Sequence, residues 1–234
     1  MDTRFYPTTI VWSSKEELFP GVWVYRDVFK DISVIDKLEA IGKQAEQDND
    51  LRYSWIEGQV GYSKTDTKYR DCVDIKLGEI MFPSNNTQHL VNDLWTELRK
   101  IQAGPVLDYC NKYSMKMDYW EVMNCIKYGP GQHFKEHADH GFSYSATVSL
   151  VGYINDDYEG GELTFPKLNL KIKPKAGDLY IFPSTFLFSH IAEPVQSGLK
   201  YSVVTMLDYN DHAHNPEFMQ MREKWVRDAQ SKSL

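Results

Sequence analysis

The second half of this chain is punctuated. From Asp118 onward, runs of β-branched and aromatic residues alternate with turn signals. YWEVMNCIKY (119–128), ATVSLVGYIN (146–155), GELTF (161–165), LNLKI (168–172), DLYIF (178–182), FSHIAEP (188–194) and KYSVVTMLDY (200–209) are bounded by GPG, NDDYEGG, FPKL, PKAG and VQSG. Such side chains suit a pleated, half-buried surface, and the flanking Gly, Pro and Asp residues suit reversals. Many short strands at near-regular spacing predict a sandwich, barrel or jelly roll.

The first half reads as mixed α and β. Val22–Tyr25 predicts a short strand. A helix follows over about 31–47, with Ile32, Ile35, Leu38 and Ile41 on one face and Asp31 or Ser33 as its cap. Residues 49–69 predict a long loop, the natural candidate for a lid. A second helix spans about 87–111, with Gly104-Pro105 expected to kink or interrupt it. Asn215-Pro216 would open a C-terminal helix. The expected fold class is α+β with a mainly β core. Residues 1–117 form a mixed support region, 118–209 the β core and 210–234 a C-terminal helix, all in one compact domain.

Composition narrows the function classes. With 26 Lys+Arg against 33 Asp+Glu the net charge is −7, which disfavours a global nucleic-acid-binding field. The aromatic share of 14% suits a β-rich chain with an aromatic-lined cavity. Cys72, Cys110 and Cys125 form no CxxC pair and are odd in number, against a disulfide framework or a zinc ribbon. No signal-peptide pattern and no long apolar span is visible, so the expectation is a soluble, cytoplasmic protein with no membrane partner.

His137, Asp139 and His190 are the chemical lead. An i, i+2 spacing on a strand projects His137 and Asp139 from one face. Two imidazoles and one carboxylate on one side of a metal leave open positions, the facial triad of non-haem Fe(II) oxygenases. Lys200 follows ten residues after His190, and Pro194–Gly198 reads as a hairpin turn that would put the two on adjacent antiparallel strands. A lysine opening an apolar strand is either exposed at the strand's end or held by a permanent anionic partner.

Four blocks then resemble a known family. YGPGQHFKEHAD (128–139), YINDDYEGGELTFP (153–166), PKAGDLYIFPS (174–184) and SHIAEPVQSGLK (189–200) are similar to the Fe(II)/2-oxoglutarate dioxygenases of the prolyl 4-hydroxylase-like group. The resemblance implies a double-stranded β-helix (jelly roll), with His137, Asp139 and His190 as iron ligands. It also implies Lys200 and Tyr128 on the C5 carboxylate of 2-oxoglutarate, and Tyr153 lining that pocket. Fe(II), 2-oxoglutarate and O2 would be required, with ascorbate as reductant. The implied reaction hydroxylates an unactivated C–H bond, releasing succinate and carbon dioxide. A peptide or protein substrate with proline as target heads the expectations, and a general acid or base is not required.

At the substrate positions the pattern departs. Phe134 stands where the family places a tyrosine, and Met206 where it places a tryptophan. Arg70 falls where an N-terminal substrate-contacting arginine is expected, with a surface salt bridge to Asp71 or Asp74 as its other reading. Gly160-Gly161 reads as a turn pair without chemistry, His133 and His140 as surface or supporting residues, and His212 and His214 as parts of a polar loop. The competing functions are the same chemistry on a free amino acid or another side chain, and a non-enzymatic jelly-roll module that binds a metal or a partner.

Overall fold

The computed structural model describes residues 12–30, 33–61, 64–141, 144–211 and 214. In chain order its elements begin with β1 (Lys15–Phe19), β2 (Val22–Tyr25), α1 (Ser33–Gln47), β3 (Ile56–Glu57), β4 (Gln59–Val60) and β5 (Lys64–Thr65). Next come β6 (Arg70–Asp71), β7 (Val73–Leu77), α2 (Asn86–Lys112), β8 (Tyr119–Trp120), β9 (Met123–Tyr128), β10 (His133–His137) and β11 (Val148–Tyr153). The last are β12 (Glu159–Gly160), β13 (Leu163–Phe165), β14 (Leu170–Ile172), β15 (Leu179–Pro183), β16 (His190–Ala192), β17 (Val195–Ser197) and β18 (Lys200–Asp208).

A large antiparallel sheet runs β1-β2-β15-β11-β18-β9-β7-β3, with β8 also paired to β18. A smaller one runs β14-β13-β16-β10-β6. Alternation along β18 decides which side chain meets what. Tyr201, Val203 and Leu207 enter the main core with Leu150, Ile181 and Cys125, whereas Lys200, Ser202, Val204 and Met206 line a cavity on the opposite face.

The helices cover the core face of the large sheet. In α1 the buried stripe is Val34, Leu38, Ile41 and Ala45, at helical spacing. Leu38 and Ile41 were expected there; Ile35 is only partly buried, and Ile32 lies outside the described residues. Asn85 caps α2 by accepting from the Gln88 backbone N–H at 2.9 Å. The expected break at Gly104-Pro105 does not occur: α2 continues through Pro105 to Lys112. Ala103, Gly104, Pro105 and Val106 are all buried, and their packing offsets the ~3 kcal/mol that an internal proline typically costs a helix.

Two further expectations are corrected. Residues 49–69 do not form a structureless loop: β3 joins the large sheet by pairing with β7, and β4 pairs with β5 as a separate hairpin. His190 and Lys200 are not on adjacent strands. β16 pairs with β10 and β13 in the small sheet, while β18 pairs with β9 and β11 in the large one. Between them β17 pairs with β12, so the chain changes sheets where the sequence suggested a tight hairpin. The C-terminal helix expected from Asn215 lies outside the described residues. Among the described residues no helix is long and apolar enough to cross a membrane, and all three cysteines are buried and unbridged.

Candidate active site

β10 and β16 bring the two histidines together. His137 and His190 are cross-strand partners, after an irregularity in register between Phe134 and His137. Asp139 is not on the strand with His137, as the i, i+2 spacing had suggested. β10 ends at His137, and Asp139 lies in the bend beyond it. One ligand atom from each of His137, Asp139 and His190 lies within 4.8 Å of the others. The Nε2 atoms of His137 and His190 stand 3.6 and 3.9 Å from the carboxylate oxygens of Asp139.

These three residues could hold a metal ion. His137 Nδ1 is 2.8 Å from the Lys135 carbonyl, and His190 Nδ1 is 3.2 Å from the Phe188 carbonyl. A carbonyl only accepts, so each Nδ1 carries the proton and each Nε2 turns its lone pair toward Asp139. Burial, reinforced by the neighbouring His190, pushes the His137 imidazole well below its ordinary pKa, which keeps it neutral. Asp139 is held in turn by Ser149, whose hydroxyl donates to Oδ2 at 2.6 Å and lies 2.7 Å from the Ser184 hydroxyl. Ser149 was missed in the sequence, although a polar residue inside ATVSLVGYIN was the signal.

Across the cavity lies the opposite electrostatic problem. Lys200 is 1% exposed, opens β18 and sits 4.3 Å above the ring of Tyr128, its cross-strand partner. Its ammonium donates to the Gly161 carbonyl at 3.2 Å, and among the described residues no carboxylate is within ion-pair distance. Burial, with Lys173 nearby, pushes its pKa down to about 7. Burial also raises the Tyr128 hydroxyl, leaving it a neutral donor. An exposed strand end is therefore not the explanation for this lysine. Gly161, expected to be a turn residue only, supplies the carbonyl. A Cβ there would stand 2.9 Å from Tyr158 and 3.2 Å from the Lys200 stem, at a φ of +65° that disfavours side chains.

All nine residues singled out in the sequence line this one cavity of about 70 Å³: His137, Asp139, His190, Lys200, Tyr128, Tyr153, Arg70, Phe134 and Met206. Asn124, Ile126, Val151, Leu163 and Ser202 complete much of its wall and were not anticipated. An outer cleft of about 450 Å³ adjoins it, sharing Arg70, Asn124, Phe134, His137, Asp139 and Met206. Gln59, Val60, Tyr69, Glu121 and Tyr144 belong to the cleft alone.

Arg70 is more deeply committed than a surface salt bridge. Its guanidinium donates to Asp74 Oδ2 at 2.8 Å, the Gln59 carbonyl at 2.7 Å and Cys72 Sγ at 3.3 Å, and lies over the Phe134 ring. Arg70 thereby ties β4 to β6. Phe134 stacks on His137 with ring centroids 3.5 Å apart. His140 bonds the Ala146 carbonyl, and His214 stacks on Tyr119 and reaches Asp208 at 3.3 Å, so neither joins the trio. His212 lies outside the described residues.

Comparison with known proteins agrees with this geometry. Residues 123–207 match the 2OG-Fe(II) oxygenase superfamily. A protein of Acanthamoeba polyphaga mimivirus named as a prolyl 4-hydroxylase is 26% identical over 129 residues, 46% of this chain and 53% of that one. A PKHD-type hydroxylase of Prochlorococcus marinus is 39% identical over 80 residues, 32% of this chain and 35% of that one. The chain thus spans about half or less of the curated relatives it matches. In fold, it resembles a Trichoplax adhaerens prolyl hydroxylase solved with a hypoxia inducible factor peptide fragment. The TM-score is 0.61 at 16% identity, covering 81% of this chain and 84% of that one. A mainly β architecture of this kind, a His-Asp-His trio inside the matched segment, and relatives of both hydroxylase types point the same way: over residues 123–207 the chain is similar to the 2OG-Fe(II) oxygenase superfamily, with prolyl 4-hydroxylase-like relatives.

Proposed function

We propose that this protein is an Fe(II)- and 2-oxoglutarate-dependent dioxygenase that hydroxylates an unactivated C–H bond, with proline in a peptide or protein as its leading target and succinate and carbon dioxide as co-products. The observation that carries this reading is the pairing of two unsatisfied sites in one cavity. A carboxylate and two imidazole lone pairs converge on one side, and a buried, anion-free lysine lies on the other. A dicarboxylate with an adjacent keto group is the ligand that would answer both. On this reading the large and small sheets are the two halves of a double-stranded β-helix, and residues 118–209 are its catalytic core, with 1–117 as support.

His137, Asp139 and His190 would hold Fe(II), which with 2-oxoglutarate and O2 supplies the oxidising chemistry. The chain's own work is positioning. Lys200 and the Tyr128 hydroxyl bind the far carboxylate, Lys200 held in place by Gly161. Tyr153, Ile126, Val151 and Leu163 form an apolar wall that excludes water. Ser149 fixes the carboxylate of Asp139, and the two backbone carbonyls fix the imidazoles. A cleft of about 450 Å³ is roomy for one amino acid and suits a short polypeptide segment, and a fold neighbour bears a peptide.

The test is a mass-spectrometric screen of peptides and free amino acids for a product gaining one oxygen atom, dependent on both Fe(II) and 2-oxoglutarate. Hydroxylated proline peptides are expected. A free amino acid as the sole product would remove the peptide reading and keep the oxygenase. No succinate above background with any candidate would remove the oxygenase.

A further inference from the structure

We infer that Lys76 and Asn124 form a binding site for a carboxylate carried by the substrate, so that the cleft selects peptides with an acidic residue near the hydroxylated position. The inference rests on the function proposed above and names the substrate class for that same site. Lys76 on β7 and Asn124 on β9 are cross-strand partners. Partners in an antiparallel pair project from the same face, with Cβ atoms ~5 Å apart. That face is the one turned to the cleft, because both side chains line it. Asn124 also lines the inner cavity, alongside Val204, its partner on β18.

Both polar ends are free. Among the described residues, neither the Lys76 ammonium nor the Asn124 amide has a hydrogen bond or an ion pair. The other charges around the cleft are engaged. Arg70 is bonded to Asp74, and Asp139 to Ser149 in the trio. Glu121 accepts from the hydroxyls of Tyr119 and Tyr144. Among the described residues lining the cleft, Lys76 is thus the charge without a hydrogen-bond or ion-pair partner, acting on Asp74 only through space, and it is half-buried in a chain whose net charge of −7 repels anions in general. An ammonium offers donors only, and the adjacent amide adds an N–H to it. Their shared complement is an anionic acceptor, and a carboxylate fits the two together. Such a carboxylate comes either from an Asp or Glu side chain or from the α-carboxylate of a free amino acid. The size of the cleft favours the former.

The experiment uses the full chain loaded anaerobically with Fe(II) and 2-oxoglutarate. It is offered proline-centred peptides bearing Asp or Glu at the flanking positions, matched peptides with Asn or Gln there, and free L-proline. Wild type is expected to bind the acidic set about tenfold more tightly. Lys76→Met should erase the preference, and Lys76→Glu should invert it toward peptides bearing lysine. Asn124→Ala should weaken it in part. The 2-oxoglutarate titration should stay the same in both Lys76 variants, showing that the fold is intact. Binding of L-proline that depends on Lys76 would also support the site, with the amino acid's own carboxylate as its ligand. No acidic preference in wild type, or the same preference in Lys76→Glu, overturns the inference. Lys76-dependent capture without oxygen incorporation would sink the hydroxylase reading and leave the site standing. Hydroxylation indifferent to Lys76 would sink the site alone.

Discussion

The inner cavity and the outer cleft share residues yet are built from different parts of the chain. Lys200, Tyr128 and Tyr153 stand on long, central strands of the large sheet, each at most 3% exposed. The cleft's outer wall comes from the β4–β5 hairpin, from Tyr69 and Gly141 in turns, and from Glu121 and Tyr144 beside the end of β18. Central strands are fixed by neighbours on both sides, so a side chain's direction follows from its parity. Hairpins and turns are fixed by a few side-chain bonds, and here Arg70 supplies several of them. Lys200, Tyr128 and Tyr153, which keep the resemblance, line the inner cavity alone, while Phe134 and Met206, which depart from it, line both spaces. On the function proposed above, the co-substrate end of the site sits on the rigid frame and the substrate wall on adjustable pieces.

The strongest test of the inner site is His190→Ala. It should abolish the visible charge-transfer band expected on anaerobic addition of Fe(II) and 2-oxoglutarate, because two remaining ligands hold Fe(II) poorly. A normal band in that variant would remove His190 from the trio.

Arg70→Ala tests the cleft frame instead. It strands Asp74, 1% exposed and already with one unbonded carboxylate oxygen, as a buried charge. The expected loss is about 3–5 kcal/mol in denaturant unfolding. Replacing Asp74 with alanine as well should recover much of it. An unchanged midpoint in the single variant would mean that the hairpin does not depend on Arg70.

Lys200→Ala should weaken 2-oxoglutarate binding by about 2–5 kcal/mol, roughly thirty-fold to several thousand-fold, with little change in Fe(II) binding. Equal titrations for wild type and variant would leave the lysine without a co-substrate role.

A pH series sharpens this. With its folded pKa near 7 and an unfolded value of about 10.4, Lys200 is neutral in the ligand-free protein above pH 7, while the unfolded chain still binds the proton. Its contribution should therefore make the ligand-free fold more stable as pH rises from about 7 toward 10. Affinity for 2-oxoglutarate, which needs the charged form, should fall about tenfold per pH unit over the same window. Lys200→Met should flatten both slopes, and an unchanged slope in that variant would assign them elsewhere.

The smallest effect is expected at Phe134→Tyr. A hydroxyl added to a ring already stacked on His137 should raise turnover of generic proline-rich peptides by about threefold, read as kcat/KM. A fall instead would mean that the apolar face itself is what the substrate requires.

Much of the frame was written locally. Turn residues and β-branched runs marked β9, β11, β15 and β18 to within a few residues, because those strands are long enough for composition to show their limits. Short apolar strands were legible too, as β2, β13, β14 and β16 show, whereas polar ones were not: β10 reads HFKEH, and β6 is two charged residues that pair with β10. Helix α2 passed through Pro105 because packing outweighed a local rule.

The sequence by itself determined the residue types of the site and their order: two imidazoles, a carboxylate, a lysine and a tyrosine, each in a short segment with its own signature. Their relation in space was decided only by tertiary structure. His190 and Lys200 are ten residues apart, and the sequence suggested a hairpin. The fold instead sends β17 off to pair with β12, placing the two residues on opposite sheets with the cavity between them. Ser149, Gly161 and the Lys76–Asn124 pair gain their significance the same way. Hydrogen-bond satisfaction and burial are properties of neighbours distant in the chain, and no local pattern encodes which donor will be left without an acceptor.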